Sequence, residues 1–469
     1  MSHFTTPEWV HHAIFYQIFP DRFAKSTQLA KPAHIQPWGT APQIYNFMGG
    51  DLLGIVEKLD YLQDLGITAI YLNPIFQSAS NHRYHTHDYF QIDPLLGGRP
   101  AFDALLNACK KRGLRLVLDG VFNHASRGFF QFNHILECGA DSPYVDWFTI
   151  NGYPLHAYEG QPNYRAWWGI PALPEFNFNN REVRDFLLGV GRYWLEQGID
   201  GWRLDVAFEV EDDFWQEFRP MVKAVNPDAW ILAETVEESQ RWLQGDMYDG
   251  VMHYPLTGAM INFFAGDTFN PSMFARPDIM AQRLQAMDAP AFAERATHLF
   301  NSYPWQATLA QMNLLDSHDM PRFLTIANGD ESALRLAWLF LFTIPGAPCI
   351  YYGDEIGMMG GFDPDNRVCF PWEQARWKQS LHTYLQSCIR LRQTYPALRI
   401  GQFHVHSAQG HVMVYTRQTA DETFYIAINA GRHPTEINLP IAESIFGEPQ
   451  RTNSGWRLPA RTGCVWQAI

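Results

Sequence analysis

The chain has 469 residues, too many for one compact core of ordinary size, so a large domain joined to at least one smaller one is expected. Its formal net charge of −14 argues against nucleic acid and anionic membrane as partners, since both need clustered Lys and Arg. Apolar residues make up 46%, ample for globular cores, and no run of about 18 apolar residues marks a membrane span.

The N-terminal MSHFTTPEWVHHAIFYQIF has no basic n-region followed by an apolar h-region, so no secretory signal is expected. Six cysteines (Cys109, Cys138, Cys349, Cys369, Cys388, Cys464) are scattered without C-x-x-C spacing, which points to free thiols in a reducing compartment and a cytoplasmic chain. The 15% aromatic content, with 16 Trp, fits either large cores or stacking platforms for an uncharged ligand.

In chain order, AIFYQIFP (Ala13 to Pro20) reads as a first strand. A helical stretch near Leu52 to Leu65, stopped by Gly66, leads to the strand TAIYLNPIF (Thr68 to Phe76). A helix over Ala101 to Arg112, closed by Gly113, precedes LRLVLDG. Further strands are GWRLD, WILAE, GVMHY, MNLLD and PCIYYGDE, with helical stretches between them. Eight strands with right-handed crossovers predict an α/β fold, a (β/α)8 TIM barrel over residues 1–124 and 181–390. The connection from His124 to about Asn180, rich in Trp, Tyr, Phe, Pro and Asn, is too long for an ordinary βα loop and predicts a small domain inserted after strand 3, over 125–180. After about residue 390, short alternating runs such as VMVYTR, TFYIAIN and TGCVWQAI predict a C-terminal antiparallel β-sandwich domain over 391–469.

Four strands end in acid or histidine: LRLVLDGVFNH, GIDGWRLDVAFEV, AWILAETVEE and QMNLLDSHDMPR. One such ending is an ordinary turn signal; four in series predict carboxylates and imidazoles delivered to one barrel rim. Arg203 and Asp205, two apart on a strand, point to one face, where the guanidinium would hold the carboxylate ionised as a nucleophile requires. Alone, the pair also reads as an ion pair bracing the barrel. Glu234 follows one strand-helix-strand unit later with apolar residues before it and no basic residue beside it in sequence, so desolvation would raise its pKa as suits a general acid. It reads equally as a solvated strand-end Glu. His318 and Asp319 could bridge sugar hydroxyls and favour positive charge on the ring, and His124 could donate to the same sugar or be a satisfied structural residue. No His-x-x-x-His or Cys/His cluster suggests a transition metal, and neither metal nor cofactor is expected.

In this order, DGVFNH, GWRLD, AE and SHD, with YQIFPDRF before them and GAPCIYYGDEIGM after, resemble the four conserved regions of glycoside hydrolase family 13, the α-amylase family. The segments NHRYHTHDYFQID, RLDVAFEVEDDFW, MNLLDSHDMPR, GGFDPDNR and LPEFNFNN are most similar to the neopullulanase, cyclomaltodextrinase and maltogenic amylase group. The resemblance implies Asp205 as nucleophile, Glu234 as acid/base and Asp319 as transition-state stabiliser. It implies sugar contacts from His124, Arg203 and His318, Tyr84 stacked beneath the ring, and Asp363 and Arg367 on the next sugar toward the non-reducing end. Asp119 and Asn123 would support the strand end. The implied activity is retaining hydrolysis of α-1,4-glucans (maltooligosaccharides, cyclodextrins, starch or pullulan), with a glucan transferase or isomerase as the alternative. An α-glucan oligosaccharide is the expected partner, and the chain is expected to be a monomer or weak homo-oligomer.

Three departures stand out. The barrel is expected to start by about Ala13, without the N-terminal domain of about 120 residues usual in that group. PDRFAKSTQLAKP lacks its Asn/Asp-rich calcium loop, and the few oxygen ligands at Lys25 to Leu29 predict no calcium there. Val236 stands two residues after Glu234, where Trp is frequent, and Phe208 precedes Glu209, where Asn is frequent. Both changes would act on the leaving-group side.

Overall fold

A computed structural model describes residues 4–276, 278–439, 442–453 and 455–468. Eight strands form one parallel sheet: β1 (Phe15–Ile18), β2 (Ala69–Leu72), β3 (Arg115–Gly120), β4 (Gly201–Leu204), β5 (Trp230–Ala233), β6 (Gly250–Val251), β7 (Met312–Leu314) and β8 (Ala347–Tyr351). The spatial order is β7-β8-β1-β2-β3-β4-β5-β6, and a parallel bridge from Met252 to Met312 joins the last strand to the first, closing the barrel. The strands are buried almost throughout, as parallel strands covered on both faces must be, which explains their near-continuous apolar runs. All eight strands read from sequence are present.

Local chemistry sets the helix ends. Gly66 and Gly113 close their helices in the left-handed region, at φ 99° and 68°, where a Cβ would be strained. The stretch expected as one helix over 52–65 is instead two, Leu52–Val56 and Leu59–Leu65. The break falls at Glu57, whose carboxylate accepts a 2.6 Å hydrogen bond from the Ser26 hydroxyl. Around it, Asp51 is paired with Lys31 at 2.8 Å and Asp21 with Arg22 at 2.9 Å, so the acids near Pro20–Phe23 already face cations of the chain itself.

Between β3 and the helix Arg181–Gln197 the chain carries one helix of two turns or more, Phe130–Cys138, and the stretch that follows it is tied by isolated bridges such as His124–Glu175, Phe148–Phe176 and Ile150–Tyr164. Beyond the barrel, β9 (Gln402–Gln409), β10 (Val412–Gln418), β11 (Thr423–Asn429), β12 (Ala442–Phe446) and β13 (Thr462–Ala468) form an antiparallel sheet in the order β9-β10-β11-β13-β12, beside a three-stranded antiparallel sheet.

One buried arginine of this sheet, Arg417, reaches the barrel, and a second, Arg392 on the helix Gln379–Thr394, braces the same seam. Arg417 on β10 donates to the carbonyls of Thr343, Leu398 and Gly401, and Arg392 to those of Ile344, Gly346 and Leu398. Burial pushes the Arg417 guanidinium down to about 9. Arg417→Ala should therefore destabilise the protein by about 3 kcal/mol or more, because each orphaned buried carbonyl costs about 1–3 kcal/mol. Thermal or urea unfolding checks this, and a loss below about 1 kcal/mol would contradict it.

Candidate active site

The C-terminal ends of β3, β4, β5 and β7 meet around one guanidinium. In β4, Arg203 is fully buried; its Nη1 lies 3.0 Å from Asp119 at the end of β3 and 2.7 Å from Asp205, while Nη2 lies 2.8 Å from Glu234 after β5. Ladder register produces this meeting. Asp119 is paired with Arg203 across β3 and β4, the Asp205 N–H donates to Gly120 O, and the Glu234 N–H donates to Leu204 O. Val206 adds a second grip, its N–H donating to Glu234 Oε2 at 2.9 Å from a left-handed backbone (φ 38°, ψ 43°) that a β-branched residue adopts only under strain.

His318 and Asp319 follow β7. The Gln17 side-chain amide on β1 donates to His318 Nδ1 at 2.9 Å, which leaves Nε2 as the ring's donor. Nε2 lies 2.7 Å from the Tyr84 hydroxyl and 2.9 Å from Asp319. Tyr84 passes its own proton to Asp119 at 2.9 Å and accepts from Asn73 at 3.0 Å, and its ring is parallel to that of His318, with centroids 5.3 Å apart. Asn366 clamps the turn by donating to the carbonyls of Ser317, His318 and Met320, and Arg367 donates to His318 O while its Nη2 lies 3.3 Å from Asp319. Asp363 is half-exposed at the rim, 3.7 Å from Arg367. His124 lies under the segment 125–180, stacked on Trp167, with Nε2 buried and unpartnered; burial pushes its pKa down to about 3, so the ring is neutral.

All nine residues proposed from the sequence thus line one rim, but the electrostatics correct two expectations. Arg203 does not hold Asp205 low. Burial, reinforced by Glu234 and Asp119, raises the Asp205 carboxyl well above the usual carboxylate range, because one guanidinium is shared by three acids. Glu234 does have a basic neighbour, Arg203, supplied from the adjacent strand; burial and Asp319 nevertheless raise its pKa. Asp319 goes the other way. Burial would raise it, but His318 and Arg367 hold it well below the ordinary range, so it stays ionised.

The catalytic-domain model of the α-amylase family matches residues 17–458. The chain belongs to the α-amylase family. Among relatives, a cyclomaltodextrinase of Geobacillus thermopakistaniensis is 44% identical over 93% of this chain and 72% of its own. A debranching enzyme from Nostoc punctiforme, solved as a crystal structure, is 47% identical and superposes with a TM-score of 0.90, covering 99% of this chain and 100% of its own. The cyclic α-maltosyl-(1→6)-maltose hydrolase of Arthrobacter globiformis is 36% identical with a TM-score of 0.89, covering 99% and 100%.

In this member of the α-amylase family, Val236 is half-buried and accepts the Gln282 side-chain N–H at its carbonyl, and Phe208 sits half-buried in the turn Ala207–Glu209. Sequence reading missed Gln17, Asn73, Val206, Asn366 and Tyr71, whose hydroxyl donates to Asp119 at 2.6 Å. Gln17, Tyr71 and Asn73 left a usable signal, as polar groups within apolar β1 and β2 or just after them; Val206 left none, because its role comes from backbone conformation, and Asn366 left none, because the carbonyls its side-chain amide holds lie far away in the chain. Among the described residues, no group of three or more His, Cys, Asp or Glu is arranged to hold a metal ion, and no helix is long and apolar enough to cross a membrane.

Proposed function

We propose that the protein is a retaining α-glucan hydrolase that cleaves α-1,4 bonds of maltooligosaccharides and cyclodextrins through a glucosyl-enzyme intermediate. The observation that carries this is the joint hold of Arg203 on Asp205 and Glu234, which gives one site two carboxyls that compete for one proton. Hydrogen-bond geometry decides where the proton goes. Arg203 Nη1 makes a well-formed hydrogen bond to Asp205, whereas Nη2 touches Glu234 without one. Charge therefore settles on Asp205 and the proton on Glu234 Oε1, leaving Oε2 to accept from Val206.

Asp205 attacks the anomeric carbon while Glu234 gives its proton to the departing glycosidic oxygen. The ionised Asp319 stabilises the positive charge that develops on the ring. Glu234, now a carboxylate, takes a proton from water, which releases the glucose unit with its configuration kept. Because the raised Glu234 must stay protonated to act, the alkaline limb of kcat/KM should fall above the ordinary carboxylate pKa of about 4.3. Glu234→Gln should lower kcat by about 10²–10⁴-fold and flatten that limb. Proton NMR of fresh maltotriose digests should show the α-anomer first; a β-anomer would end the retaining reading.

Two relatives named for debranching or for a (1→6)-linked substrate favour a second reading, cleavage of α-1,6 bonds by the same residues. A time course on β-cyclodextrin, soluble starch and pullulan at equal enzyme separates the two, since α-1,4 cleavage of pullulan gives panose and α-1,6 cleavage gives maltotriose. A glucan transferase or isomerase would instead give longer chains or isomeric disaccharides from maltotriose. We assign residues 125–180 as an inserted domain walling the cleft on the His124 side. All six cysteines are unpaired, which supports a reducing, cytoplasmic setting.

A further inference from the structure

Among the described residues, Trp168 is the one tryptophan that is mostly exposed, at 79%. Its backbone is left-handed (φ 52°, ψ 23°), a conformation that costs a bulky residue on the order of 1–3 kcal/mol. That twist lays its ring flat on its chain neighbour Trp167, with centroids 4.5 Å apart and planes 13° apart. Trp167 in turn stacks on His124, at 5.4 Å and 25°. A three-ring ladder therefore runs outward from the catalytic rim and ends in an open indole. Strain and exposure both oppose folding, so the ladder's geometry calls for a ligand.

Polar groups around the ladder fit the same ligand. His124 Nε2 and Trp167 Nε1 are both buried without a hydrogen-bond partner. Glu175 forms a backbone bridge with His124 and pairs with Arg165. The carboxyl of Glu209 lies beside the Trp167 indole, outside good hydrogen-bond geometry, and in the field of Glu175, Arg165 and Glu234. An aromatic face edged with hydroxyl-binding donors and acceptors suits a sugar ring, which has an apolar face of C–H groups and a polar rim. Glu209 closes the turn that directly follows Val206, whose N–H holds Glu234, so the ladder lies on the Glu234 flank, where the leaving group departs.

We propose that the open face of Trp168 is a glucan-binding platform on the leaving-group side of the cleft, holding a glucose unit beyond the one next to the scissile bond. This rests on the reading of Asp205 and Glu234 given above. The same platform would hold an incoming acceptor sugar, and so raise transfer relative to hydrolysis.

The test compares maltohexaose, which reaches past the first leaving-group unit, with 4-nitrophenyl α-maltoside, which has only an aryl group there. Trp168→Ala should lower kcat/KM about tenfold more on maltohexaose than on the aryl maltoside, mostly through KM, and Trp168→Phe should recover most of the difference. Trp168→Gly removes both the ring and the backbone strain, so it should give the same substrate ratio with a Tm no lower than wild type. Equal losses on the two substrates, or no loss on either, would overturn the platform. A wild-type enzyme inert toward both would instead overturn the underlying hydrolase reading.

Discussion

Asp205→Asn should abolish turnover, by on the order of 10⁴-fold or more, and at the same time make the protein more resistant to heat. The first effect follows from loss of the nucleophile, since an amide cannot form the glycosyl ester and the remaining groups give only residual catalysis. The second follows from where the carboxyl sits. Asp205 is buried beside Asp119 and Glu234 with Arg203 shared among them, and its folded pKa is raised. The folded Asp205–Glu234 pair, with its proton on Glu234, therefore keeps one proton that the unfolded chain releases above about 4, and stability falls as pH rises from there. Asparagine carries no such penalty. Wild type and variant should melt together near pH 4 and separate at neutral pH, with the variant higher. A variant that melts lower at pH 7 would show that Asp205 braces the barrel rather than straining it.

Arg203→Met should have the largest effect on stability. It leaves three buried carboxyls facing each other without a cation, and removing one partner of a buried charge cluster costs about 3–5 kcal/mol. The deficit should depend on pH. Without the guanidinium the folded pKa values of Asp205 and Glu234 rise further, so the variant gains protons on folding and loses stability as pH climbs. Melting at pH 5 should show a smaller gap from wild type than melting at pH 8. Activity should vanish as well, because no group then directs charge to Asp205 and the proton to Glu234. A gap that does not change with pH would mean that Arg203 contributes packing alone.

These two substitutions also mark how far the residues could be read in advance. The barrel was legible because parallel strands buried on both faces leave continuous apolar runs, and because a strand's last residue must face the rim; Asp119, Arg203, Glu234 and the His318–Asp319 pair were all found that way. Charge balance was not legible. Arg203 lies near Asp205 in sequence, but its contacts with Asp119 and Glu234 exist only through strand register, so the expected low pKa of Asp205 had the wrong sign. Val206 shows a second blind spot, since nothing in GWRLDVAFEV announces a strained left-handed valine that aims its N–H at Glu234. The break near Glu57 is similar, since the hydroxyl that its carboxylate accepts from lies about thirty positions away in the chain.

Arg392 and Arg417 have a bearing on how the enzyme can be taken apart. Their guanidiniums satisfy main-chain carbonyls on both sides of the seam, so neither half is finished without the other. Trimming the sheet away to obtain a minimal catalyst would strip the Arg417 donor from the Thr343 carbonyl at the end of helix Glu331–Thr343, immediately before the strand that completes the barrel. The appendage is better regarded as a keystone than as an accessory module.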